Sequence, residues 1–138
     1  MEECARTPSR GPVVIVALGD SVTQGCMEAG VIDPENVYHN ILKKLLEQAY
    51  PTVPFKVINS GVGGESAAGG RLRLERDVIA HAPDLLLLGY CLNDACAGMG
   101  LLPEYCANIT AIIAGVRARL QADIVVLTPN FMAAKENP

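Results

Sequence analysis

Val13-Val14-Ile15-Val16-Ala17-Leu18-Gly19-Asp20-Ser21 is the stretch on which the fold turns. Six apolar residues, the first four of them β-branched, run without a polar interruption and stop at a glycine. Strict alternation of polar and apolar residues marks a strand with one wet face, whereas a short continuous run bounded by turn residues fits a strand covered on both faces. Such strands belong to parallel sheets with helices on either side. In those sheets ligands bind just past the carboxyl ends of the strands, which is where Asp20 and Ser21 fall.

The segments beyond this run alternate in kind. Asp33-Pro34 suits the N-cap and first position of a helix, and Val37, Ile41, Leu42, Leu45, Leu46 and Ala49 recur at helical spacing up to Pro51. A strand is predicted over 55–58, a helix over 70–81 and a strand over 85–88. Pro103 opens a third helix with Tyr105, Ile109, Ile112, Ile113, Val116 and Leu120 on its apolar face, and 124–127 reads as a fourth strand ending before Pro129. The pattern predicts an α/β fold, a parallel sheet with helices on both faces in a flavodoxin-like three-layer α/β/α arrangement. Residues 1–12, polar with Pro8, Gly11 and Pro12, form an N-terminal lead-in to a single domain over 13–138.

Composition bounds the function. A chain of 138 residues, half hydrophobic and 19% charged, has material for one buried core and is not a disordered segment. A net charge of -4 with scattered basic residues argues against a nucleic-acid partner. The apolar run at 13–18 is too short for a signal-peptide core or a membrane span, so a cytoplasmic protein without a membrane partner is expected. Cys4, Cys26, Cys91, Cys96 and Cys106 make an odd count without a CxxC pair, which favours reduced, mostly buried thiols over disulfides or zinc. Asn108-Ile109-Thr110 has the spacing of a glycan acceptor but falls within the third helix and is discounted. Oligomeric state is not legible in the sequence.

Three polar, glycine-bearing loops follow the first three strands: Gly19-Asp20-Ser21-Val22-Thr23-Gln24-Gly25, Asn59-Ser60-Gly61-Val62-Gly63-Gly64-Glu65-Ser66 and Gly89-Tyr90-Cys91-Leu92-Asn93-Asp94. None is a GxSxG elbow, a phosphate-binding GxxxxGK[ST] loop or an HExxH zinc helix. The Gly61 loop approaches GxGxxG, but Ser66 holds its third glycine position and no acidic residue closes a following strand, so a dinucleotide site is weakly supported. The loops do bring together a hydroxyl nucleophile, glycine amides that an oxyanion can approach, and one carboxamide donor.

Gly-Asp-Ser after the first strand, Asn-x-Gly-x-x-Gly-x-Ser after the second and Asn-Asp after the third resemble the SGNH/GDSL hydrolases, a family of serine esterases and lipases, over residues 13 to about 130. The resemblance implies the SGNH hydrolase fold and a carboxylic ester hydrolase working through an acyl-enzyme without metal or cofactor. It implies that Ser21 is the nucleophile and that the backbone amides of Ser21 and Gly64 and the side chain of Asn93 form the oxyanion hole. A small-molecule ester is the implied partner, with a short acyl group on a carbohydrate or other polar alcohol.

These roles agree with the chemistry of the residues. Acyl transfer concentrates negative charge on one oxygen, and fixed donors aimed at it lower the barrier. Gly64 is small enough for that oxygen to reach its amide, and the neutral amide of Asn93 holds it without trapping a carboxylate product. Asp20 and Asp94 read as supporting hydrogen-bonders of their loops, because a carboxylate beside the nucleophile opposes the developing charge. Cys26 and Cys91 read as small thiols, and Arg71 and Arg73 as solvated helix residues.

The general base is the missing part. The resemblance implies an Asp-x-x-His segment well downstream of the fourth strand, and none occurs here. His81 ends a helix running back along the strands, which puts it at the opposite edge of the sheet from Ser21. His39 lies at the correct edge, but its helical angle sets it beside the apolar stripe, in solvent. The expectation is a C-terminally truncated family domain, its last strand and helix missing, with 124–127 left as an apolar edge. The alternative is a catalytically incomplete homologue that binds acylated ligands. A third reading is a flavodoxin-like domain holding phosphate with the Gly61 loop.

Overall fold

A computed structural model describes residues 11–28 and 30–128 of the chain. The opening run forms β1 (Val13–Gly19), with Ile15, Val16, Ala17 and Leu18 fully buried, as a two-faced strand requires. It is followed by a single helical turn, α1 (Ser21–Gln24), and a short hairpin of β2 (Cys26–Glu28) and β3 (Val31–Ile32). Then come α2 (Tyr38–Ala49), β4 (Phe55–Gly61), α3 (Ala67–Leu72), α4 (Leu74–Asp77) and a 3-10 turn at Ile79–His81. The remainder is β5 (Leu85–Gly89), α5 (Leu92–Cys96), a 3-10 turn at Met99–Leu101, α6 (Leu102–Arg117) and β6 (Asp123–Val126).

Four strands form a parallel sheet in the order β4-β1-β5-β6. Because side chains alternate across a strand, β1 feeds two cores. Val16 and Leu18 join Leu86, Leu88 and Tyr90 under α3 and α6, where Ala67, Ile112 and Val116 are fully buried. Val13, Ile15 and Ala17 join Phe55, Leu85 and Leu87 on the other face, against Leu42 and Leu46 of α2. The predicted three-layer architecture is the observed one. Met99–Arg117 is long and apolar enough to cross a membrane by composition, but its buried residues cover this sheet.

The departures from the predicted elements have local causes. Asp33 does not cap the helix: its Oδ1 accepts the amides of Glu35 and Asn36 at 3.0 and 3.1 Å, forming a polar turn that delays α2 to Tyr38. The second strand runs on through Asn59, Ser60 and Gly61 because Leu18 and Gly19 pair with Ser60 and Gly61. The helix expected over 70–81 begins at Ala67 and is broken near Arg73 and Val78 into α3, α4 and the 3-10 turn. The fourth strand, expected over 124–127, is Asp123–Val126, although Leu127 still donates to Leu88 at 2.9 Å. Among the described residues β6 is the edge of the sheet, with Val125 and Val126 exposed. Residues 1–10 of the lead-in lie outside the described residues.

Candidate active site

The chain turns straight from β1 into α1, with Asp20 as the cap between them. Asp20 is buried, its Oδ1 accepts the amide of Val22 at 3.0 Å, and its own amide donates to Gly89 at 3.4 Å. Ser21 is therefore the first helical residue past the strand, half-buried at the carboxyl edge of the sheet. The turn closes at Gly25, whose φ of +100° is in the left-handed region and whose amide donates to the carbonyls of Ser21 and Val22. Gly19 is needed because α1 folds back over the strand end, leaving a Cβ there only 2.1 Å from Thr23 Oγ1.

Two consecutive residues of α2 hold this turn from behind. Thr23, itself buried, meets the Tyr38 hydroxyl through Oγ1 at 3.1 Å, and its carbonyl accepts a hydrogen bond from His39 Nε2 at 2.9 Å. This corrects the placement of His39 in solvent: the residue is 3% exposed. The late start of α2 is the reason, since it places His39 in the first turn of the helix, directly behind α1. Burial pushes the His39 pKa below its ordinary value, and Nδ1 is buried without a partner among the described residues. His39 is thus an anchor of the Ser21 turn, with neither ring nitrogen bonded to Ser21. His81 is exposed just before β5, at the amino end of the sheet, as its topology predicts.

The second loop is bonded to the first. Asn59 donates from Nδ2 to Gln24 O at 3.2 Å while its Oδ1 accepts the amide of Gly61 at 2.9 Å, and Val62 donates to Gly19 O at 3.0 Å. The approach is close: a Cβ on Gly63 would stand 3.9 Å from the Ser21 Cβ and 2.8 Å from Gln24 Oε1. Gly64 has a φ of +77°, and a Cβ there would meet nothing within 4 Å. Backbone conformation, rather than crowding by the protein, fixes glycine at this position.

The third loop is bonded to the second. Asn93 donates from Nδ2 to Glu65 O at 2.9 Å, and the Asp94 carboxylate accepts the Ala67 amide at 3.1 and 3.2 Å. Asp20 and Asp94 both satisfy backbone amides, as the sequence predicts. Burial raises the Asp20 pKa, and the charge of Asp94 adds to the effect. A cleft of about 400 Å³ opens between the ends of β1 and β5, with Asp20, Val22, Tyr38, Tyr90, Cys91 and Leu127 in its wall. This is the switch point of the sheet, where the chain connections from β1 and β5 run to opposite sides.

Two expectations about individual side chains change. Arg71 is exposed, as predicted, but Arg73 is not: its guanidinium is bonded to Glu65, Asp77, Tyr90 and two backbone carbonyls. The break in the expected helix puts it beneath the loops. Cys26, Cys91, Cys96 and Cys106 are free, but the first two are half-buried and the others exposed, because Cys26 lies on the β2–β3 hairpin, Cys91 in the loop after β5, and Cys96 and Cys106 on α5 and α6. Cys4 lies outside the described residues. Among the described residues no cluster of three or more His, Cys, Asp or Glu side chains is arranged to hold a metal ion.

Residues 17–138 match the GDSL-like lipase/acylhydrolase family. An acetylxylan esterase of Geobacillus stearothermophilus is 25% identical over 140 residues, covering 88% of this chain and 62% of the relative. Among solved structures, a variant of an acetyl xylan esterase from the same organism superposes with a TM-score of 0.70 at 24% identity, over 89% of this chain and 62% of that one. An SGNH-hydrolase family esterase gives 0.71 at 24% identity, over 85% and 59% of the two chains. A two-domain esterase active on acetylated mannans gives 0.75 at 21% identity, over 91% of this chain and 32% of its own. The chain thus spans about 62% of the length of the curated relative it matches. With its sheet order, its three post-strand loops and the match over 17–138, the chain belongs to the GDSL-like lipase/acylhydrolase family.

Proposed function

We propose that this chain supplies the nucleophile and the oxyanion-binding loops of an enzyme that hydrolyses carboxylic esters, with short acyl groups on a carbohydrate or similar polar alcohol as its substrates. One observation carries the reading: the three post-strand loops are hydrogen-bonded into a single platform, Asn59 joining the second to the Ser21 turn and Asn93 joining the third to the second. In this reading Ser21 Oγ adds to the ester carbonyl carbon, and the backbone amides of Ser21 and Gly64 with Asn93 Nδ2 hold the resulting oxyanion. The carbon–oxygen bond to the alcohol then breaks, the alcohol leaves with the serine's proton by way of a base, and water releases the acid from Ser21.

The substrate class rests on the similarity to esterases named for acetylated xylan and mannan. The base is assigned outside residues 1–138, because His39 is tied to Thr23 and His81 lies at the far edge. That same observation favours a second reading, a binding module for acylated ligands. A protein that joins this chain to an Asp-x-x-His segment of a family domain, assayed on aryl acetates and acetylated xylo-oligosaccharides, separates the two. Hydrolysis that falls by at least about 10³-fold in Ser21→Ala supports the enzyme. Undiminished turnover in that variant refutes Ser21 as nucleophile, and binding of the oligosaccharide without turnover supports the module.

A further inference from the structure

Arg73 stands beneath all three loops. Its side chain is 10% exposed, and Nε donates to Glu65 Oε1 and Oε2 at 3.0 and 2.8 Å. Nη2 reaches Glu65 Oε2 at 2.6 Å, Ser60 O at 2.7 Å, the Tyr90 hydroxyl at 2.8 Å and Gly19 O at 3.4 Å, while Nη1 donates to Asp77 at 2.6 Å. The Tyr90 hydroxyl in turn donates to Glu65 Oε2 at 2.6 Å. Four of the five partners belong to the site: Gly19 precedes Asp20 and Ser21, Ser60 is the penultimate residue of β4, Glu65 follows Gly64, and Tyr90 is the first residue past β5; the fifth, Asp77, closes α4. The Glu65 carbonyl is also the one that Asn93 holds.

We propose that Arg73 is a positioning residue for ester hydrolysis, fixing the Gly64 segment against the Ser21 turn through Glu65 and Tyr90. The inference rests on the reading of Ser21, Gly64 and Asn93 given above. The surrounding sequence is shaped to the network. A Cβ on Gly69 would stand 2.5 Å from Glu65 Cγ, and one on Gly70 would stand 2.4 Å from the Tyr90 hydroxyl. Adjacent glycines are poor helix formers, yet both lie in the six-residue α3, where they leave room for these two partners. Burial opposes the charge of Arg73, but the hydrogen bonds of Glu65 and Asp77 outweigh it and hold the guanidinium protonated. A lysine has no planar fork with which to meet a carboxylate, a hydroxyl and two carbonyls at once.

The proposal separates positioning from general stability. Amide hydrogen exchange in the 138-residue chain reads the loop itself. Arg73→Lys should speed exchange at 61–66 by about tenfold while leaving 102–117 at the wild-type rate, because only the loop loses its fixed partners. Glu65→Gln should give a smaller rise in the same place, and Lys44→Ala, at an exposed residue of α2 outside the network, none. In the protein joined to the Asp-x-x-His segment of a family domain, Arg73→Lys should lower kcat by about 30- to 100-fold with KM changed less than about threefold, as a misplaced transition-state donor requires. Exchange that is unchanged at 61–66, that rises equally everywhere, or that rises there with kcat intact overturns the proposal. Full activity in Ser21→Ala refutes the reading of the site instead, and the exchange result still decides whether Arg73 holds the loop.

Discussion

The side-chain amide of Asn93 lies 2.9 Å from the backbone carbonyl of Glu65, so the third loop of the site grips the second immediately after Gly64. A carboxamide carries two N–H donors, and this bond uses one. The other is the donor assigned to the oxyanion. Under the proposed function Asn93 has a structural and a chemical task on the same nitrogen.

That double task makes two substitutions differ. In the completed protein Asn93→Ala should lower kcat by about 100- to 1000-fold with a smaller effect on KM, since the donor acts mainly in the transition state. Asn93→Asp should lose as much activity and also destabilise the fold by about 1–3 kcal/mol, because it turns an acceptor toward the Glu65 carbonyl. Steady-state kinetics and urea unfolding check both effects. Wild-type stability in both variants would remove the structural task.

Gly70→Ala is a case where helix propensity and packing disagree. In an exposed helix the change would stabilise by about 1 kcal/mol. Here the new Cβ would stand 2.4 Å from the Tyr90 hydroxyl, so the expected result is a loss of about 1–3 kcal/mol by chemical denaturation. A stabilised variant would mean that Tyr90 moves aside freely.

His39 should give the fold a pH dependence of definite sign. Burial holds its folded pKa below the ordinary value of about 6.5, so the unfolded chain takes up the proton first as pH falls. The contribution is complete above about pH 6.5 and is lost as pH drops through the folded pKa. His39→Gln keeps a donor for the Thr23 carbonyl without titrating. Urea midpoints measured from pH 7.5 to 5 should fall less steeply for the variant, and parallel curves would contradict the assignment.

The edge of the described sheet makes a solution prediction. Val125 and Val126 are 45% and 44% exposed on β6, which pairs on one side with β5. Exposed apolar edges template pairing between chains. The 138-residue polypeptide should self-associate in size-exclusion chromatography, and Val125→Lys should shift it toward the monomer. A monomeric parent would show that this edge is already protected.

What was legible in the sequence followed from patterns each residue carries alone. The uninterrupted run at 13–18 is enough to predict a doubly covered strand, and the glycine-bearing loops after successive strands are the ones the structure bonds together at one edge of the sheet. The roles of Asp20 and Asp94 as loop hydrogen-bonders were legible too, because a short carboxylate beside a turn has backbone amides within reach. What was hidden depends on partners distant in sequence. Arg73 reads as a helix-surface residue until the break at that position turns it under Gly19, Ser60 and Tyr90. His39 reads as solvated until the Asp33 turn moves the helix start and rotates it behind Thr23. The adjacent Gly69 and Gly70 were the one local sign of the network, being costly in a helix unless something occupies the space of their side chains.

The most direct test of Ser21 as the nucleophile is mass spectrometry of the completed protein quenched during turnover of a slowly deacylated aryl ester. Acyl transfer to a serine adds the acyl mass to one peptide. The adduct should appear on the peptide containing Ser21, should chase away on dilution, and should be absent from Ser21→Ala. Continued ester hydrolysis by Ser21→Ala, or an acyl adduct on any other residue that turns over at the rate of product formation, would contradict the assignment.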